Sequence, residues 1–254
     1  MLDGVTSASV VLDQLIMSAI PFSMVIPTYN EAGGIERLLR GIDGVCKRAS
    51  LDAEIIVVDD NSPDGTGAIV DALAAELPVR ALHRPGKMGL SSGVIDGWKS
   101  ARASSLALGA MDADFSHDIE ILPRMVAALN DGYGLAVGSR YVDGGGIANW
   151  PMRRIITSRV ACALARPLTP VKDITSGYFL IRREALDGVT LDPIGFKIGL
   201  EVIAKAHYGR VVEIPYVFTD RTAGESKLNE REIFNYLKQL RKLYAARIFG
   251  GSAA

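Results

Sequence analysis

Short apolar runs alternate with segments of helical periodicity along most of the chain. Residues 24–27 and 54–60 are apolar runs of strand length, and between them apolar positions recur at the spacing of an amphipathic helix. The alternation continues with a helical segment at 64–77, a run at 79–83, a helical segment at 90–104, and runs at 106–111 and 134–140. Repeated strand-helix-strand units predict an α/β fold with a mostly parallel central sheet and helices on both faces.

The second half of the chain follows a glycine-rich turn at 143–146. Its predicted elements are a helix at 152–165, an apolar segment at 174–183, a helix at 196–208, a strand at 211–218 and a last helix at 228–249. Because no long linker separates these elements, residues 22–254 are predicted to form one domain after an N-terminal extension at 1–21. No uninterrupted stretch of about 20 mostly apolar residues occurs, so no transmembrane helix is expected.

Polar clusters follow three of the predicted strands, at 28–31, 59–61 and 112–114. In parallel sheets ligands bind beyond the carboxyl ends of the strands, so these clusters are expected to line one site. The first strand lacks the G-x-G-x-x-G sequence of dinucleotide-binding folds, and no Walker sequence is present. A nucleotide pocket in this chain would therefore be built from side chains and not from a glycine cradle.

The acids Asp112 and Asp114 flank the small residue Ala113 directly after a predicted buried strand. Two carboxylates so placed can bind one hard cation, Mg²⁺ or Mn²⁺, whose other ligands come from diphosphate oxygens and water. A D-x-D sequence by itself usually marks a solvated turn. Its position beside two other acid-tipped strands favours a metal or nucleotide site.

Charge and cysteine content narrow the function classes. The chain of 254 residues carries 28 basic and 29 acidic residues, so its total charge of -1 predicts no bulk attraction to nucleic acid or to an anionic membrane. Cys46 and Cys162 lie far apart, as expected for reduced thiols in a cytoplasmic protein. The three histidines are scattered, and each is expected to have a hydrogen-bonded or surface role.

Six sequence stretches, in order, resemble the inverting family-2 glycosyltransferases and especially the dolichyl or polyprenyl phosphate mannose synthases. They are VIPTYNE, VVDDNSPDGT, GKMGL, MDADFSHD, GSRY and DRTAGESK, and the resemblance runs from about residue 22 to residue 249. It implies a GT-A type nucleotide-sugar-binding fold and a glycosyltransferase activity that depends on Mg²⁺ or Mn²⁺.

The resemblance also implies roles for individual residues. The nucleotide-sugar site would be lined by Pro27, Tyr29, Glu31, Val58, Asp60, Lys87, Asp112 and Ala113. The metal would be held by Asp112, Asp114 and Ser116, with Ser116 the weakest ligand because it is neutral. From the residues alone, Asp59 and Asp60 could equally form a helix-capping turn with Ser62 and Asp64, and 86–89 could be a plain loop.

Four basic residues are implied to bind the acceptor phosphate: Arg140, Arg154, Arg221 and Lys227, with Arg153 the alternative to Arg154. Guanidinium groups suit this role because they donate two parallel hydrogen bonds to phosphate oxygens. Arg221 and Lys227 belong to an acceptor loop at 219–227. Together with Asp114, the residues Arg140, Arg221 and Lys227 form the expected catalytic set.

The chemistry of the acceptor is a second argument for a phosphate. A sugar hydroxyl needs a carboxylate base, and Asp173 is the best candidate for one, whereas a phosphate monoester is already anionic near neutral pH. The expected reaction transfers mannose from GDP-mannose to a polyprenyl phosphate with inversion. Alternatives are UDP-glucose or another donor, a different acceptor, or a subunit that only binds the nucleotide sugar.

A lipid acceptor has to be met at a membrane surface. The last helix, 228–249, has an apolar stripe with basic residues between its members, as expected of a helix that lies in the membrane interface. Its apolar stripe could instead pack on the domain. The expected location is cytoplasmic, with the protein bound peripherally on the cytoplasmic face of a membrane. The sequence gives no prediction about protein partners.

Overall fold

The computed structural model describes residues 19–219 and 230–249. The strands of this part are β1 Phe22–Thr28, β2 Ala53–Asp59, β3 Val79–His83, β4 Ala107–Ala110, β5 Leu135–Ser139, β6 Gly146–Ala148, β7 Phe179–Arg182, β8 Val211–Pro215 and β9 Val217–Thr219. The helices are α1 Ile35–Arg48, α2 Thr66–Leu73, α3 Leu90–Ser100, α4 Leu122–Asn130, α5 Met152–Ala165, α6 Ile198–Lys205 and α7 Glu230–Phe249.

Seven of these strands form one sheet in the order β3-β2-β1-β4-β7-β5-β8. All neighbours are parallel except at β7, which is antiparallel to both β4 and β5. Strands β6 and β9 form a separate two-stranded parallel pair. The prediction of a mostly parallel sheet with crossover helices is confirmed.

The helices cover both faces of the sheet because its central strands are buried on both sides, as in other parallel sheets. On one face α1 buries Ile35, Leu38, Leu39 and Ile42. On the other face α3 lies so close to the sheet that a Cβ atom on Gly97 would come within 2.5 Å of a methyl group of Val25. The absence of a side chain at Gly97 therefore lets this helix approach.

Strand β7 begins at the carboxyl edge of the parallel strands, to which the chain has returned, and runs in the opposite direction. Its first residue, Phe179, pairs with Ala110 of β4 and Val137 of β5. The segment 173–178 that precedes β7 therefore lies at the same edge as the polar ends of β1, β2 and β4. This return was not predicted, since the sequence showed only an apolar segment at 174–183.

Helix α7 packs on α5 by one face. Tyr236, Leu240 and Leu243 are buried, and the Tyr236 hydroxyl donates to the Ala161 carbonyl over 2.6 Å. Phe234 and Ile248 of the same helix remain exposed. One part of the apolar surface of this helix therefore packs on the domain, as one alternative expected. Another part is exposed, as the membrane-interface alternative requires.

The predicted element positions are mostly confirmed, with differences at helix ends. The single strand expected at 211–218 is instead split into β8 and β9, which belong to different sheets. The helix expected at 64–77 spans Thr66–Leu73, and the one expected at 90–104 ends at Ser100 because Ala101 is extended. Helix α4 was not predicted. Within residues 19–219 and 230–249 no helix is both long and apolar enough to cross a bilayer. The expected extension at 1–21 lies outside the described residues except for its last three.

Candidate active site

The acid cluster follows β4 and borders a cavity of about 800 Å³. Asp112 and Asp114 both line this cavity, as does Ser116. The backbone N–H of Ser116 donates to one carboxylate oxygen of Asp114 over 3.1 Å, which holds the turn after the strand. The three residues expected to bind a metal are therefore neighbours on one wall.

These residues fit a divalent cation. Ser116 is buried, and its hydroxyl has no hydrogen-bond partner in the described part of the chain. Such an oxygen is expected to bind a ligand. Among the described residues no three His, Cys, Asp or Glu side chains form a complete metal site. Two carboxylates and one hydroxyl therefore make an open set that suits a hard cation sharing its shell with a phosphorylated ligand.

His117 holds the start of this turn. Its Nδ1 accepts a hydrogen bond from the Asp112 backbone N–H over 3.1 Å, and its ring stacks on Tyr178 with centroids 5.0 Å apart. Burial lowers the pKa of His117, so the ring is neutral and carries its proton on Nε2. The aromatic packing thus fixes the backbone that carries Asp112.

The ends of β1 and β2 form a second wall. Pro27 lines the cavity, and Lys87 lies over the ring of Tyr29 with its Nζ 4.2 Å from the centroid. Three of the residues expected to bind the nucleotide sugar are thus on the same edge. Val58 and Ala113, in contrast, have their side chains in the hydrophobic core, so their surroundings leave them only backbone atoms to offer a ligand.

Asp60 ties the loop at 86–89 to the sheet. One of its carboxylate oxygens accepts from Arg84 Nε over 2.6 Å, and the other accepts from the backbone N–H groups of Met88 and Gly89, each over 3.0 Å. Both side chains of the Arg84–Asp60 ion pair are buried. The segment 86–89 is therefore an anchored loop, which carries Lys87 toward Tyr29.

The neighbouring acids have structural contacts. Asp59 accepts from the hydroxyl and the backbone N–H of Ser62, and Asp64 accepts from the N–H of Thr66 at the start of α2. Glu31 donates its backbone N–H to the Thr66 hydroxyl over 2.9 Å. The capping turn considered above is therefore formed by Asp59 and Asp64. Asp60 is not part of it and instead binds the loop at 86–89.

Arg140 also lines the cavity and forms a buried ion pair with Asp173. Arg140 donates from Nε to one Asp173 oxygen over 2.7 Å and from Nη2 to the other over 2.6 Å. Burial alone would lower the pKa of Arg140, but the Asp173 charge and hydrogen bonds hold that pKa above its usual value. Asp173 also accepts from the Arg140 backbone N–H. Both carboxylate oxygens of Asp173 are therefore engaged.

Further cations face the same cavity. Arg153 and Arg154 line it from α5, and the Arg154 guanidinium lies 3.8 Å from the centroid of Trp150. Both alternatives for this position therefore reach the site. Arg221, Lys227 and the acceptor loop from residue 220 onward lie outside the described residues.

A family model described as Glycosyl transferase family 2 matches residues 23–190. The chain belongs to this family. A dolichol-phosphate mannosyltransferase of Pyrococcus furiosus is 42% identical over 225 residues, which are 87% of this chain and 63% of that protein. A dolichol-phosphate mannosyltransferase of Saccharomyces cerevisiae is 38% identical over 245 residues, 92% of this chain and 90% of that protein. The chain thus spans less than two thirds of the Pyrococcus relative and most of the yeast one.

Among solved structures, a mannosyltransferase of Pyrobaculum calidifontis in complex with GDP-Man and Mn²⁺ superimposes with a TM-score of 0.62. The two chains are 20% identical, and the match covers 92% of this chain and 65% of that protein. At this identity the likeness concerns the fold. The expected GT-A fold of a family-2 glycosyltransferase is confirmed.

Three residues of this family-2 site were missed by sequence reasoning. Arg84 follows directly on β3, at the same strand edge as the recognised acids, so its position carried a usable signal. His117 lies inside the MDADFSHD stretch but was given only a default role. Lys197 precedes α6 and lines the cavity, and nothing in its local sequence distinguishes it from a surface lysine.

Proposed function

We propose that this family-2 chain transfers mannose from GDP-mannose to a polyprenyl phosphate with inversion at the anomeric carbon. The observation that carries the proposal is the buried Arg140–Asp173 pair at the edge of the cavity. Relatives that are 42% and 38% identical and are named dolichol-phosphate mannosyltransferases support the same donor and acceptor classes.

The Arg140–Asp173 pair favours a nucleophile that brings its own negative charge. Asp173 was the best candidate for a general base, but its two oxygens are held by Arg140, and it is completely buried. A hydroxyl acceptor would need a base free to take its proton. A phosphate monoester, whose second pKa is about 6, needs only cations to hold it.

Different residues of the site would bind the donor and the acceptor. Pro27, Tyr29, Lys87 and the loop anchored by Asp60 would hold the nucleotide sugar. Arg140 keeps Nη1 clear of hydrogen bonds to the described residues, so this atom can donate to an acceptor oxygen. With Arg154, Arg221 and Lys227 it would align that oxygen with the anomeric carbon. The new C–O bond forms as the bond to the diphosphate breaks, and no proton moves.

Asp112, Asp114 and Ser116 would hold Mg²⁺ or Mn²⁺, which when bound neutralises the departing nucleoside diphosphate. Asp112 leaves about a third of its side chain open to the cavity. It can therefore reach a ligand while His117 fixes its backbone.

The direct test is a panel of GDP- and UDP-sugars with Mg²⁺ or Mn²⁺ and a short polyprenyl phosphate. We expect transfer of mannose from GDP-mannose to the lipid phosphate, measured as a radiolabelled product in the organic phase. Transfer from UDP-glucose instead would replace the donor assignment. Binding of the donor without transfer or hydrolysis would favour a subunit that only binds nucleotide sugars.

A membrane surface is part of the proposal, at the cytoplasmic face. Met152, Ile156, Val160 and Leu164 recur every four residues on α5 and are exposed, and Phe234 and Leu237 of α7 are exposed as well. Val160, Leu164 and Leu237 also line the cavity, so the apolar surface leads into the site. An exposed apolar patch of this kind is typical of an interaction surface. Both cysteines are buried free thiols, which is compatible with a reducing compartment.

Vesicle flotation tests the membrane contact with the full chain. We expect the protein to float with anionic phospholipid vesicles, and the variant Ile156→Ser with Phe234→Ser to stay in the bottom fraction. The variant Leu106→Ser, which changes an exposed apolar residue outside this surface, serves as the control. Equal flotation of all three proteins would remove the α5–α7 surface from the proposal.

A further inference from the structure

Lys197 lines the same cavity as the acid cluster. It immediately precedes α6, in a segment that is tied to α7 through a hydrogen bond from the Ile194 N–H to Gln239. Its side chain is half-buried, and Phe196 lies beside its Nζ at 4.7 Å from the ring centroid. The lysine is thus placed by the tertiary structure and not by a motif.

The positive charge of Lys197 is not balanced by an ion pair with any residue that the structure describes. Across residues 19–219 and 230–249 it has neither a hydrogen bond nor an ion pair, whereas the guanidinium of Arg140 in the same cavity donates three hydrogen bonds. Burial, reinforced by the charge of Arg140, lowers the pKa of Lys197 to about 8. An ammonium kept in such a place without a partner costs stability, as expected of a group whose partner is a ligand.

The charges around the cavity indicate what that ligand is. The positive charge of Arg140 is already balanced by Asp173, so the pair adds little net charge to the site. A phosphate monoester carries between one and two negative charges near neutral pH and has three acceptor oxygens. Lys197 lies within electrostatic reach of both Arg140 and Asp112. An anion held there would supply the counter-charge that Lys197 lacks.

We propose that Lys197 binds a phosphate oxygen of the acceptor and sets it between Arg140 and the acid cluster. This inference rests on the proposed function and adds to it a residue that determines acceptor affinity. The donor diphosphate is the other possible source of phosphate oxygens, but in the proposed function it would be held by the nucleotide residues and the metal-binding acids. Lys197 acts together with Arg140, which the proposed function assigns to the acceptor.

The test compares Lys197→Met and Lys197→Arg with the wild-type protein. Binding of a short polyprenyl phosphate is followed without donor through the fluorescence of Trp150, which lines the cavity, and binding of GDP-mannose with Mn²⁺ is measured separately. We expect Lys197→Met to weaken lipid phosphate binding and raise the acceptor KM at least tenfold, with donor affinity within about twofold of wild type. Lys197→Arg should restore most of the acceptor affinity because it restores the charge.

Two controls keep the outcome interpretable. Lys99→Met removes an exposed lysine at the end of α3 and should change neither affinity. Thermal unfolding of Lys197→Met should occur at or above the wild-type temperature, because the variant no longer buries an unpaired charge. A fold lost in Lys197→Met would move the test to Lys197→Gln.

The two proposals fail in different ways. If the wild-type protein transfers mannose to the lipid phosphate and Lys197→Met binds that lipid as tightly as wild type, the role of Lys197 is wrong and the function stands. A donor affinity that falls as much as the acceptor affinity would also contradict the acceptor assignment. If the wild-type protein binds lipid phosphate through Lys197 but transfers no sugar to it, the proposed function is wrong.

Discussion

The two walls of the cavity are built in different ways. The wall that we assign to the donor is formed by residues at or within a few positions of the carboxyl ends of β1, β2, β3 and β4. The wall that we assign to the acceptor combines the end of β5, the segment before β7, α5, the residues before α6, and α7. The first wall follows from topology, because neighbouring parallel strands end together. The second depends on contacts between residues far apart in sequence.

Loss of the metal-binding acid should have the largest effect on the donor wall. Asp114→Ala is expected to reduce turnover by roughly a thousandfold or more, because stabilisation of the leaving diphosphate is worth several kcal/mol. Its fold should be unchanged in circular dichroism. Asp118→Ala, which changes an acid of the same loop that accepts from the Glu120 N–H, should retain turnover. Near-normal activity of Asp114→Ala would contradict the metal assignment.

On the acceptor wall, the largest expected effect of a substitution is a loss of protein stability. Asp173→Asn leaves the buried Arg140 charge without its partner, and breaking such a pair costs about 3–5 kcal/mol. The expected result is a lower free energy of unfolding in chemical denaturation, together with a loss of activity. Glu36→Gln, in an exposed pair with Arg40, should unfold like the wild type. Unchanged stability of Asp173→Asn would mean that the pair does not organise this wall.

A smaller effect should separate the two walls kinetically. Asp60→Asn weakens the contacts to Arg84 and to the loop at 86–89, and we expect the KM for the nucleotide sugar to rise roughly tenfold through these charged hydrogen bonds. The acceptor KM should stay within a factor of about two. Asp71→Asn, which alters only an exposed contact to His83, is the matched control. A change confined to the acceptor KM would reverse the assignment of the walls.

The smallest expected effect is a pH dependence of the acceptor wall. The lowered pKa of Lys197 means that this group is charged below about pH 8 and loses its charge above it. The groups that act on it are Arg140 after β5, Asp112 after β4, Asp173 before β7 and Cys162 of α5. The kcat/KM for the acceptor should therefore fall severalfold above pH 8 in the wild type. Lys197→Arg should show no such fall, and an identical profile in both proteins would argue against this titration.

The strand edge of the fold was readable from the sequence. Apolar runs of strand length located β1, β2 and β3 nearly to the residue, and the acids after them followed from the rule that parallel strands end together. Asp112, Asp114 and Ser116 are brought together on the cavity as expected. Pro27 lines the same cavity, and Tyr29 and Lys87 contact each other at the same edge of the sheet. Their roles toward substrate stay predictions. These positions were accessible because each is set by its own strand.

The remaining features depend on long-range contacts. The partner of Arg140 could not be read from the sequence, because Asp173 lies 33 residues away and only the reversal at β7 brings it near. Asp60 looked like a ligand-binding or capping acid, yet it is occupied by Arg84 and a loop 28 residues further along the chain. Lys197 has no local pattern at all. Side-chain pairing and cavity lining are properties of the packed chain, which periodicity does not report.

The reversed strand also works as a spacer. Because β7 stands between β4 and β5, the ends of those two strands are separated by two inter-strand intervals, about 10 Å, where direct neighbours would be about 5 Å apart. The acids after β4 and Arg140 after β5 therefore follow strands that β7 keeps apart. This spacing is set by the backbone hydrogen bonds of β7 to both neighbours and not by the side chains that line the cavity.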